Sequence, residues 1–376
     1  MEENATDPRY APLFRPYRSG ALALPNRLVM APMTRNFSPG GVPGENVVAY
    51  YRARAKHGTG LLVTEGVLVP HPAANGYKRV PRMYGDEALA GWRRVVEAVH
   101  AEGASIVPQL WHVGSIRRSG TEPDPSVPPV APSAIAHPFY EGKGEVPHAL
   151  SRAEIAEVVE AYAVAAENAL RVGFDGVEIH GAHGYLLDQF LWPVTNQRDD
   201  EYGGSLENRA RIVCEIVRAI RARTRPDFPI VLRFSQWKMG GYKERLFPTP
   251  AELERFLSLL VEAGVDVFHP STRRLIVPEF EGSELSLAGW VKKLTGKTTI
   301  AVGSVGLAVD LLRTNAGQAT DAAGIDEVVR RLAADEFDLV AIGRALLADA
   351  RWPEHVRAGH PERARLYAKE LEKVLE

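Results

Sequence analysis

Two histidines and a tyrosine, His180, His183 and Tyr185, fall within six residues of one another, and their types suit proton donation or the binding of an electron-rich oxygen. The residues from Val177 to His180 alternate between apolar and polar, as in a strand with one buried face. In a barrel, His180 would lie at the carboxyl-terminal end of this strand, where barrel enzymes carry out their chemistry. The three side chains are therefore the first candidates for catalysis.

The two histidines have two other interpretations. Histidines three residues apart can bind a metal, but catalytic zinc normally has three protein ligands, and the candidates for the third are Asp188 and Glu178. A metal-dependent barrel hydrolase is thus one alternative, and histidines buried only for packing are another. The nearby Tyr185 favours a third interpretation, in which the histidines donate hydrogen bonds to a carbonyl oxygen or an anion and bind no metal.

Strands and helices alternate from Leu24 onward, and these elements must hold the three residues in place. The pattern predicts eight strands, at 27–32, 60–67, 104–111, 174–180, 229–234, 265–270, 298–303 and 337–343. It predicts helices at 44–56, 86–102, 152–172, 205–224, 249–263, 284–294, 325–334 and 345–357. This alternation is typical of a (β/α)8 TIM barrel, an α/β fold. A doubly wound sheet is the competing fold, but the sequence lacks its Gly-x-Gly-x-x-Gly turn.

Residues 1–376 are predicted to form one domain with two additions to the barrel. Residues 112–150, which follow the third strand and are rich in proline, are predicted to be a lid insertion over the site, with a surface excursion as the alternative. Residues 361–376 are predicted to form a helical tail. Residues 1–23 are predicted to be an irregular entry.

Alternation along the strands also selects side chains that reach the centre of the barrel. On the third strand Gln109 shares a face with Trp111, and on the fifth strand Arg233 lies on the same face as Val231. Glu178 and Arg233 belong to adjacent strands. Because a buried guanidinium and a buried carboxylate are tolerated best together, the sequence predicts an ion pair between them.

The last two predicted strands end in glycine turns, at Gly303-Ser304 and Gly343-Arg344. Turns after the seventh and eighth strands, with a helix start nearby, form the usual phosphate site of a TIM barrel. Glycine lets backbone N–H groups approach an anion, the helix dipole adds positive potential, and Arg344 supplies a charged fork. The two turns together predict a phosphate-binding site.

Composition excludes several classes of function. The chain has 376 residues, 45% of them hydrophobic and 24% charged, with a formal net charge of −2, so no electrostatic feature predicts nucleic acid or membrane as a partner. No apolar run approaches the roughly 20 residues of a membrane span, and the polar start argues against a secretory peptide. Cys214 is the single cysteine, which excludes iron–sulfur clusters and cysteine zinc sites. A cytoplasmic location is therefore expected, as a monomer or a homo-oligomer.

The chain resembles the Old Yellow Enzyme family of FMN-dependent ene-reductases, over nearly its whole length from Leu24 to Arg344. The resemblance rests on a set of motifs that occur in order: Ala31-Pro32-Met33-Thr34-Arg35, Thr64-Glu65-Gly66, Gln109-Leu110-Trp111-His112-Val113-Gly114, His180-Gly181-Ala182-His183-Gly184-Tyr185, Asn196-Gln197-Arg198 and Tyr202-Gly203-Gly204-Ser205.

The resemblance implies a single FMN, bound tightly without a covalent link. Residues around its ring would be Pro32, Met33, Thr34, Gly66, Gln109, His180 and Arg233. Its phosphate would be held by Gly303, Ser304, Gly343 and Arg344. The cation of Arg233 would face the part of the ring where negative charge grows on reduction.

The resemblance also implies the reaction. NADPH or NADH would reduce the flavin, and a small electrophilic alkene, such as an α,β-unsaturated carbonyl or nitro compound, would then accept hydride from flavin N5 at its β-carbon. His180 and His183 would bind the carbonyl oxygen, on which negative charge accumulates. Tyr185 would donate a proton to the α-carbon as a general acid.

Two loops depart from the ene-reductase pattern, at residues 234–238 and 269–274. Because both lie at the predicted rim, oxidative N-demethylation of an amine on the same fold is an alternative activity. Arg273 and Arg274 could bind an acidic substrate or the cofactor phosphates, or could simply be solvated.

Overall fold

The chain enters the fold through a two-stranded antiparallel hairpin, β1 (Tyr17–Ser19) and β2 (Leu22–Leu24). The computed structural model describes residues 6–308 and 324–376. Leu22 and Leu24 are buried against apolar side chains of the barrel interior, and the Tyr17 hydroxyl lies 2.9 Å from Thr298 Oγ1 at the start of a barrel strand. The hairpin therefore fills the amino-terminal end of the barrel. The prediction of an irregular entry is wrong for these residues, because strands of three residues are too short for a periodic signal.

Eight parallel strands follow and close into a barrel, as the alternation predicted. In order around the barrel they are β3 (Leu28–Met30), β4 (Leu61–Leu68), β5 (Ser105–Trp111), β8 (Val177–His183), β9 (Ile230–Lys238), β10 (Val267–Ser271), β11 (Thr298–Val302) and β12 (Leu339–Ile342). Two short strands, β6 (Val130–Ala131) and β7 (His148–Ala149), pair with each other inside the predicted lid insertion.

Helices pack around the barrel. They are α1 (Glu45–Lys56), α2 (Asp86–His100), α3 (Arg152–Val172), α4 (Leu186–Leu191), α5 (Leu206–Arg223), α6 (Pro250–Ala263), α7 (Leu287–Thr295), α8 (Asp326–Ala333), α9 (Arg344–Ala348) and α10 (Trp352–Arg357). Capping boxes at Ser151 and Thr249 fix where α3 and α6 begin. No helix in the described ranges is both long and apolar enough to cross a lipid bilayer.

The carboxyl-terminal segments differ from the predictions in two ways. The helix predicted at 345–357 is two short helices, α9 and α10, and Pro353 lies in the first turn of the second, where proline is tolerated. The tail at 361–376 contains two short 3-10 helices, Pro361–Arg363 and Lys369–Lys373, instead of one continuous helix. Arg35 Nη2 donates to backbone carbonyls of this tail, including that of Leu371 at 3.2 Å, so the tail packs on its own barrel.

The register of neighbouring strands decides which side chains meet inside the barrel. On β8 and β9, His180 lies opposite Arg233 and Glu178 lies opposite Val231. On β9 and β10, Arg233 lies opposite His269. A histidine, an arginine and a second histidine therefore stand side by side across three strands.

Candidate active site

A cavity of about 560 Å³ opens at the carboxyl-terminal end of the barrel. Twelve of the thirteen residues that the sequence assigned to the site line this one cavity. They are Pro32, Met33, Thr34, Gln109, His180, His183, Tyr185, Arg233, Gly303, Ser304, Gly343 and Arg344. The volume lies within the range of small-molecule and cofactor pockets, about 300–1,000 Å³.

Gly66 is the exception, since it does not line the cavity. It is buried in β4, and a Cβ atom at this position would lie 2.3 Å from the Trp111 ring. The absence of a side chain therefore makes room for Trp111. The indole in turn stacks with His180, at 6.1 Å between ring centroids and an interplanar angle of 18°.

The three candidate catalytic side chains are neighbours. The ring of His180 lies 5.2 Å from that of His183 and 4.9 Å from that of Tyr185, centroid to centroid, and both contacts are edge-to-face. The chain trace explains this arrangement, because β8 ends at His183 and α4 begins immediately after Tyr185.

His180 presents one defined nitrogen to the cavity. Its Nδ1 accepts a hydrogen bond from the backbone N–H of Ala182 at 3.3 Å, which places the ring proton on Nε2. Burial, and then the positive charge of Arg233, hold the pKa of His180 well below its ordinary value. The imidazole is therefore neutral at pH 7 and can donate an Nε2–H hydrogen bond.

His183 is held from several sides in an uncommon backbone conformation. Its φ is 65°, in the left-handed region that non-glycine residues rarely adopt. Its N–H donates to Ser235 Oγ at 3.0 Å, its Nε2 lies 2.8 Å from Ser271 Oγ, and its ring stacks on Trp237 at 4.5 Å. Burial, followed by the neighbouring imidazole of His180, lowers the pKa of His183 well below its ordinary value. Such over-determined strain is typical of functional sites.

Tyr185 has a partner that the sequence did not reveal. Its hydroxyl lies 3.0 Å from that of Tyr77, a residue of the loop after β4. Burial, followed by the neighbouring Tyr77, raises the pKa of Tyr185 well above its ordinary value, so the hydroxyl keeps its proton at neutral pH. No periodicity marks Tyr77, and only the folded chain brings it to Tyr185.

A buried polar network lies beneath these residues. Glu178 accepts from Gln109 Nε2 at 2.8 Å and from His269 Nδ1 at 2.6 Å. Arg233 Nη1 donates to His269 Nε2 at 2.7 Å, and its Nη2 donates to Ser271 Oγ at 3.3 Å. Hydrogen bonds therefore link Gln109, Glu178, His269, Arg233 and Ser271 into one continuous buried network.

The predicted direct ion pair between Glu178 and Arg233 is wrong. The imidazole of His269 bridges them, because the register places His269, and not Glu178, beside Arg233. Burial lowers the pKa of His269 to about 4, so this bridge is a neutral ring. Burial acts to raise the pKa of Glu178, but His269, the charge of Arg233 and the Gln109 hydrogen bond outweigh it and hold that pKa below its ordinary value.

The donor groups of the cavity fit a flavin. Arg233 Nε is buried and has no hydrogen-bond partner among the described residues, although the other nitrogens of the same guanidinium are satisfied. A buried donor without an acceptor is costly, and a ring carbonyl or nitrogen would satisfy it. Pro32, Met33 and Thr34 line the cavity directly after β3.

The two glycine turns meet, as a phosphate site needs. Arg344 Nη2 donates to Ser304 Oγ at 3.3 Å, which joins the turn after β11 to the start of α9. At Gly303, a Cβ would lie 2.7 Å from Leu275 N and from Thr272 Oγ1, so a side chain is excluded there. Gly343 faces more open space, with Met33 Sδ at 3.5 Å from a Cβ position.

The metal hypothesis lacks its third ligand. In the parts of the chain that the structure describes, no three histidine, cysteine or acidic side chains are grouped so as to hold a metal ion. Asp188 is paired with Lys238 at 2.8 Å, and Glu178 is bound to Gln109 and His269.

The segment at 112–150 reaches the cavity through Phe139. It is anchored by Arg117, a buried guanidinium that donates to five backbone carbonyls. His137 Nε2 also lies 2.8 Å from the carbonyl oxygen of Gly184, between His183 and Tyr185. The segment is thus tied to the turn between His183 and Tyr185, and its function as a lid stays a prediction.

Comparisons of this chain with known proteins agree on one protein family. Residues 12–363 match the model of the NADH:flavin oxidoreductase / NADH oxidase family. The chain is 36% identical to NADH oxidase of Thermoanaerobacter brockii over 366 residues, 94% of this chain and 52% of that protein. It is 46% identical to 12-oxophytodienoate reductase 7 of Oryza sativa subsp. japonica over 220 residues, 56% of this chain and 55% of the other. The chain thus spans about half the length of each of these relatives.

A solved structure of morphinone reductase in complex with tetrahydroNAD superimposes with a TM-score of 0.78 and 33% identity, over 96% of this chain and 93% of that one. The family match covers most of the chain, and the barrel and its cavity agree with it. The chain therefore belongs to the NADH:flavin oxidoreductase / NADH oxidase family of FMN-dependent oxidoreductases, the Old Yellow Enzyme family.

Proposed function

We propose that the protein reduces the C=C bond of α,β-unsaturated carbonyl or nitro compounds, with electrons from NADH or NADPH. When bound, FMN supplies the two-electron transfer that no side chain can perform. The observation that carries the proposal is the grouping of two neutral imidazoles and one protonated phenol on one wall of the flavin-sized cavity.

His180 and His183 are assigned to the substrate oxygen. A neutral imidazole N–H donates to a carbonyl or nitro oxygen, and the bond strengthens as negative charge grows on that oxygen during reduction. Arg233 lies opposite His180 in the strand register and adds positive potential near this oxygen. The geometry therefore stabilises an enolate-like charge more than the neutral substrate.

Tyr185 is assigned to proton donation at the α-carbon. Its raised pKa keeps the proton in place until the substrate carbon becomes basic. Tyr77 can donate a hydrogen bond to the Tyr185 oxygen and so stabilise the phenolate that forms. Trp111 packs edge-on against Tyr185 at 4.9 Å and limits its rotation.

The residues that would hold the flavin have separate tasks. Gln109 and Arg233 would donate hydrogen bonds to the polar edge of the ring, and Thr34 would offer its hydroxyl to it. Ser304 and Arg344 would bind the phosphate, together with backbone N–H groups of Gly303 and Gly343.

The test is spectroscopic. The purified protein should be yellow, its visible absorbance should bleach with NADH or NADPH under anaerobic conditions, and 2-cyclohexenone or a nitroalkene should restore it. Protein that takes up no FMN, or reduced enzyme that no activated alkene reoxidises, would contradict the proposal. Bleaching of the oxidised enzyme by an N-methyl amine would instead favour oxidative N-demethylation.

A further inference from the structure

A second cavity, of about 410 Å³, lies beside the flavin cavity. The two share a wall made by Trp237, Tyr242, Thr272 and Arg273, among others. A ligand whose reactive end lies at His180 and His183 can therefore extend past these residues into the second cavity. Trp237, Thr272 and Arg273 come from the two loops that depart from the ene-reductase pattern, and Tyr242 follows the first of them.

The second cavity is cationic although the chain as a whole is slightly acidic. Its lining contains four cationic side chains and two carboxylates, namely Lys243, Arg245, Arg273, Arg274, Glu244 and Glu279. Arg245 is neutralised by its ion pair with Glu279. The three other cations, Lys243, Arg273 and Arg274, thus outnumber the one other carboxylate, Glu244.

Arg273 and Arg274 lack carboxylate partners among the described residues. The Arg273 guanidinium packs over the Tyr242 ring at 5.9 Å, and Arg274 Nη1 donates to the Ala308 carbonyl at 3.3 Å. By contrast Arg331, which is buried, is held by Glu327 and Glu336. Partly buried guanidinium groups without a counter-ion favour an anionic ligand.

The backbone holds Arg273 between the two cavities. Its carbonyl oxygen accepts from Ser304 Oγ at 2.8 Å, on the side of the glycine turns, whereas its guanidinium lies over Tyr242 on the opposite loop. Arg274 and Lys243 line the second cavity and not the first. Arg274 and Lys243 are therefore separate from the Ser304 and Arg344 pair, and Arg273 lies between the two groups.

We propose that Arg273, Arg274 and Lys243 form a subsite for the phosphate or carboxylate at the distal end of a ligand whose reactive end occupies the flavin cavity. Trp237 and Tyr242 are stacked at 5.6 Å and provide a flat apolar surface between the two ends. The anion has two possible sources, the nucleotide phosphates of the hydride donor and an acidic group on the alkene. This subsite rests on the proposed function, since it defines which ligands enter that same cavity.

The experiment compares anionic and uncharged ligands on the FMN-loaded enzyme. Stopped-flow absorbance gives the apparent Kd of NADH, NADPH and the uncharged donor 1-benzyl-1,4-dihydronicotinamide during flavin reduction. The same method gives the apparent Kd of 2-cyclohexenone and of a carboxylate-bearing enone during reoxidation of the flavin. The variant is Arg273→Ala/Arg274→Ala, and the matched control is Arg18→Ala, an exposed arginine of β1 at the other end of the barrel.

For the double variant we expect the apparent Kd of at least one anionic ligand to rise about tenfold, as for the loss of charge-assisted hydrogen bonds. The apparent Kd values of the uncharged ligands, and those of all ligands with the control variant, should change by no more than about twofold, because neither case removes a charge that faces an anion. An effect confined to NADH and NADPH identifies the nucleotide as the source, and one confined to the acidic enone identifies the substrate. Equal changes for charged and uncharged ligands, or no change for any, overturn the subsite.

A binding measurement separates this result from the proposed function. TetrahydroNAD cannot donate hydride, and its binding can be followed by tryptophan fluorescence, to which Trp237 contributes. Weaker binding to the double variant supports the subsite even if no alkene is reduced. Unchanged binding of tetrahydroNAD, together with unchanged Kd values for the acidic enone, excludes it even in an active ene-reductase.

Discussion

The ammonium group of Lys238 lies 2.8 Å from Oδ1 of Asp188, and both side chains are completely buried. Asp188 Oδ2 accepts from the backbone N–H of Gly184 at 2.7 Å, and Lys238 Nζ donates to the carbonyl of Ser235 at 2.8 Å. The pair thus ties the turn between His183 and Tyr185 to the end of β9. Its effect on the site is to hold the side chains of His183 and Tyr185 through the backbone between them.

Removing one member of this pair should destabilise the protein strongly. Lys238→Met leaves a buried carboxylate without its counter-ion, and we expect a loss of about 3–5 kcal/mol in the free energy of unfolding, measured with urea. The double variant Lys238→Met/Asp188→Asn should recover part of that loss, because no charge is then buried alone. Arg351→Met, which breaks an exposed pair with Glu354, is the control and should cost at most about 1 kcal/mol. A similar small loss for Lys238→Met would show that the buried pair has no such structural role.

Tyr185→Phe should separate the two half-reactions. Without the phenol proton, alkene reduction should slow by about 100-fold or more, the lower end of general acid catalysis. Flavin reduction by NADPH should keep its rate, because that step uses no proton from Tyr185. Stopped-flow absorbance measures both steps, and an equal loss in the two would rule out proton donation.

Tyr77→Phe tests the partner of the proton donor. The variant keeps the Tyr185 hydroxyl and removes only the 3.0 Å contact to it. One hydrogen bond is worth up to about 1.5 kcal/mol, so alkene reduction should slow by up to about tenfold while flavin reduction is unchanged. No effect of Tyr77→Phe on either step would mean that the contact stabilises neither the phenol nor the phenolate.

The two histidines can be tested without turnover. Phenols are expected to bind over the flavin with their oxygen at His180 and His183 and to produce a long-wavelength charge-transfer band. His180→Ala should weaken phenol binding by about tenfold or more, since a hydrogen bond to a charged oxygen is worth about 1.5–3 kcal/mol. His183→Asn should bind phenol better than His183→Ala, because the amide keeps an N–H donor. Phenol titrations that cannot distinguish these variants from the wild type would place the oxygen elsewhere.

Glu65 should make stability depend on pH. Its Oε2 accepts from the backbone N–H groups of Arg35 and Asn36, directly after Thr34, and burial raises its pKa to about 7. The unfolded pKa is about 4.3, so between these values the folded state binds more protons and stability falls as the pH rises through about 7. This pKa shift corresponds to a loss on the order of 3 kcal/mol in the free energy of unfolding. Relative to Glu65→Gln, the wild type should therefore be less stable at pH 8 than at pH 5. If the free energy of unfolding in urea depended on pH identically for both proteins, the raised pKa of Glu65 would be contradicted.

The sequence predicted the barrel well because its signals are local. Each strand is a short apolar run before or after a recognisable helix start, and the capping box at Ser151 fixed the start of α3 to the residue. Twelve of the residues that the sequence assigned to the site line one cavity, and they were selected because alternation assigns them to the inner face or because their motifs form a specific set. Neither kind of signal depends on how the strands are aligned with one another.

The features that the sequence missed depend on that alignment. His269 is one histidine in an apolar strand, and only the register of β9 and β10 places it between Arg233 and Glu178. Tyr77 and Lys238 likewise gain their roles from residues more than 40 positions away. Gly66 was assigned to the flavin from its motif, but its neighbour in space is Trp111. Long-range contacts of this kind carry no periodic signature in one sequence.

The hairpin of β1 and β2 has a kinetic consequence. The hairpin fills the amino-terminal end of the barrel. Among the described residues, the cavity opens at the opposite end, so ligands enter and leave there. In the proposed reaction, electron donor and electron acceptor would then share one entrance, and the first product would have to leave before the second reactant enters. Double-reciprocal plots of the steady-state rate at several fixed alkene concentrations should accordingly give parallel lines. A large excess of either reactant should inhibit the reaction by blocking the cavity to the other reactant.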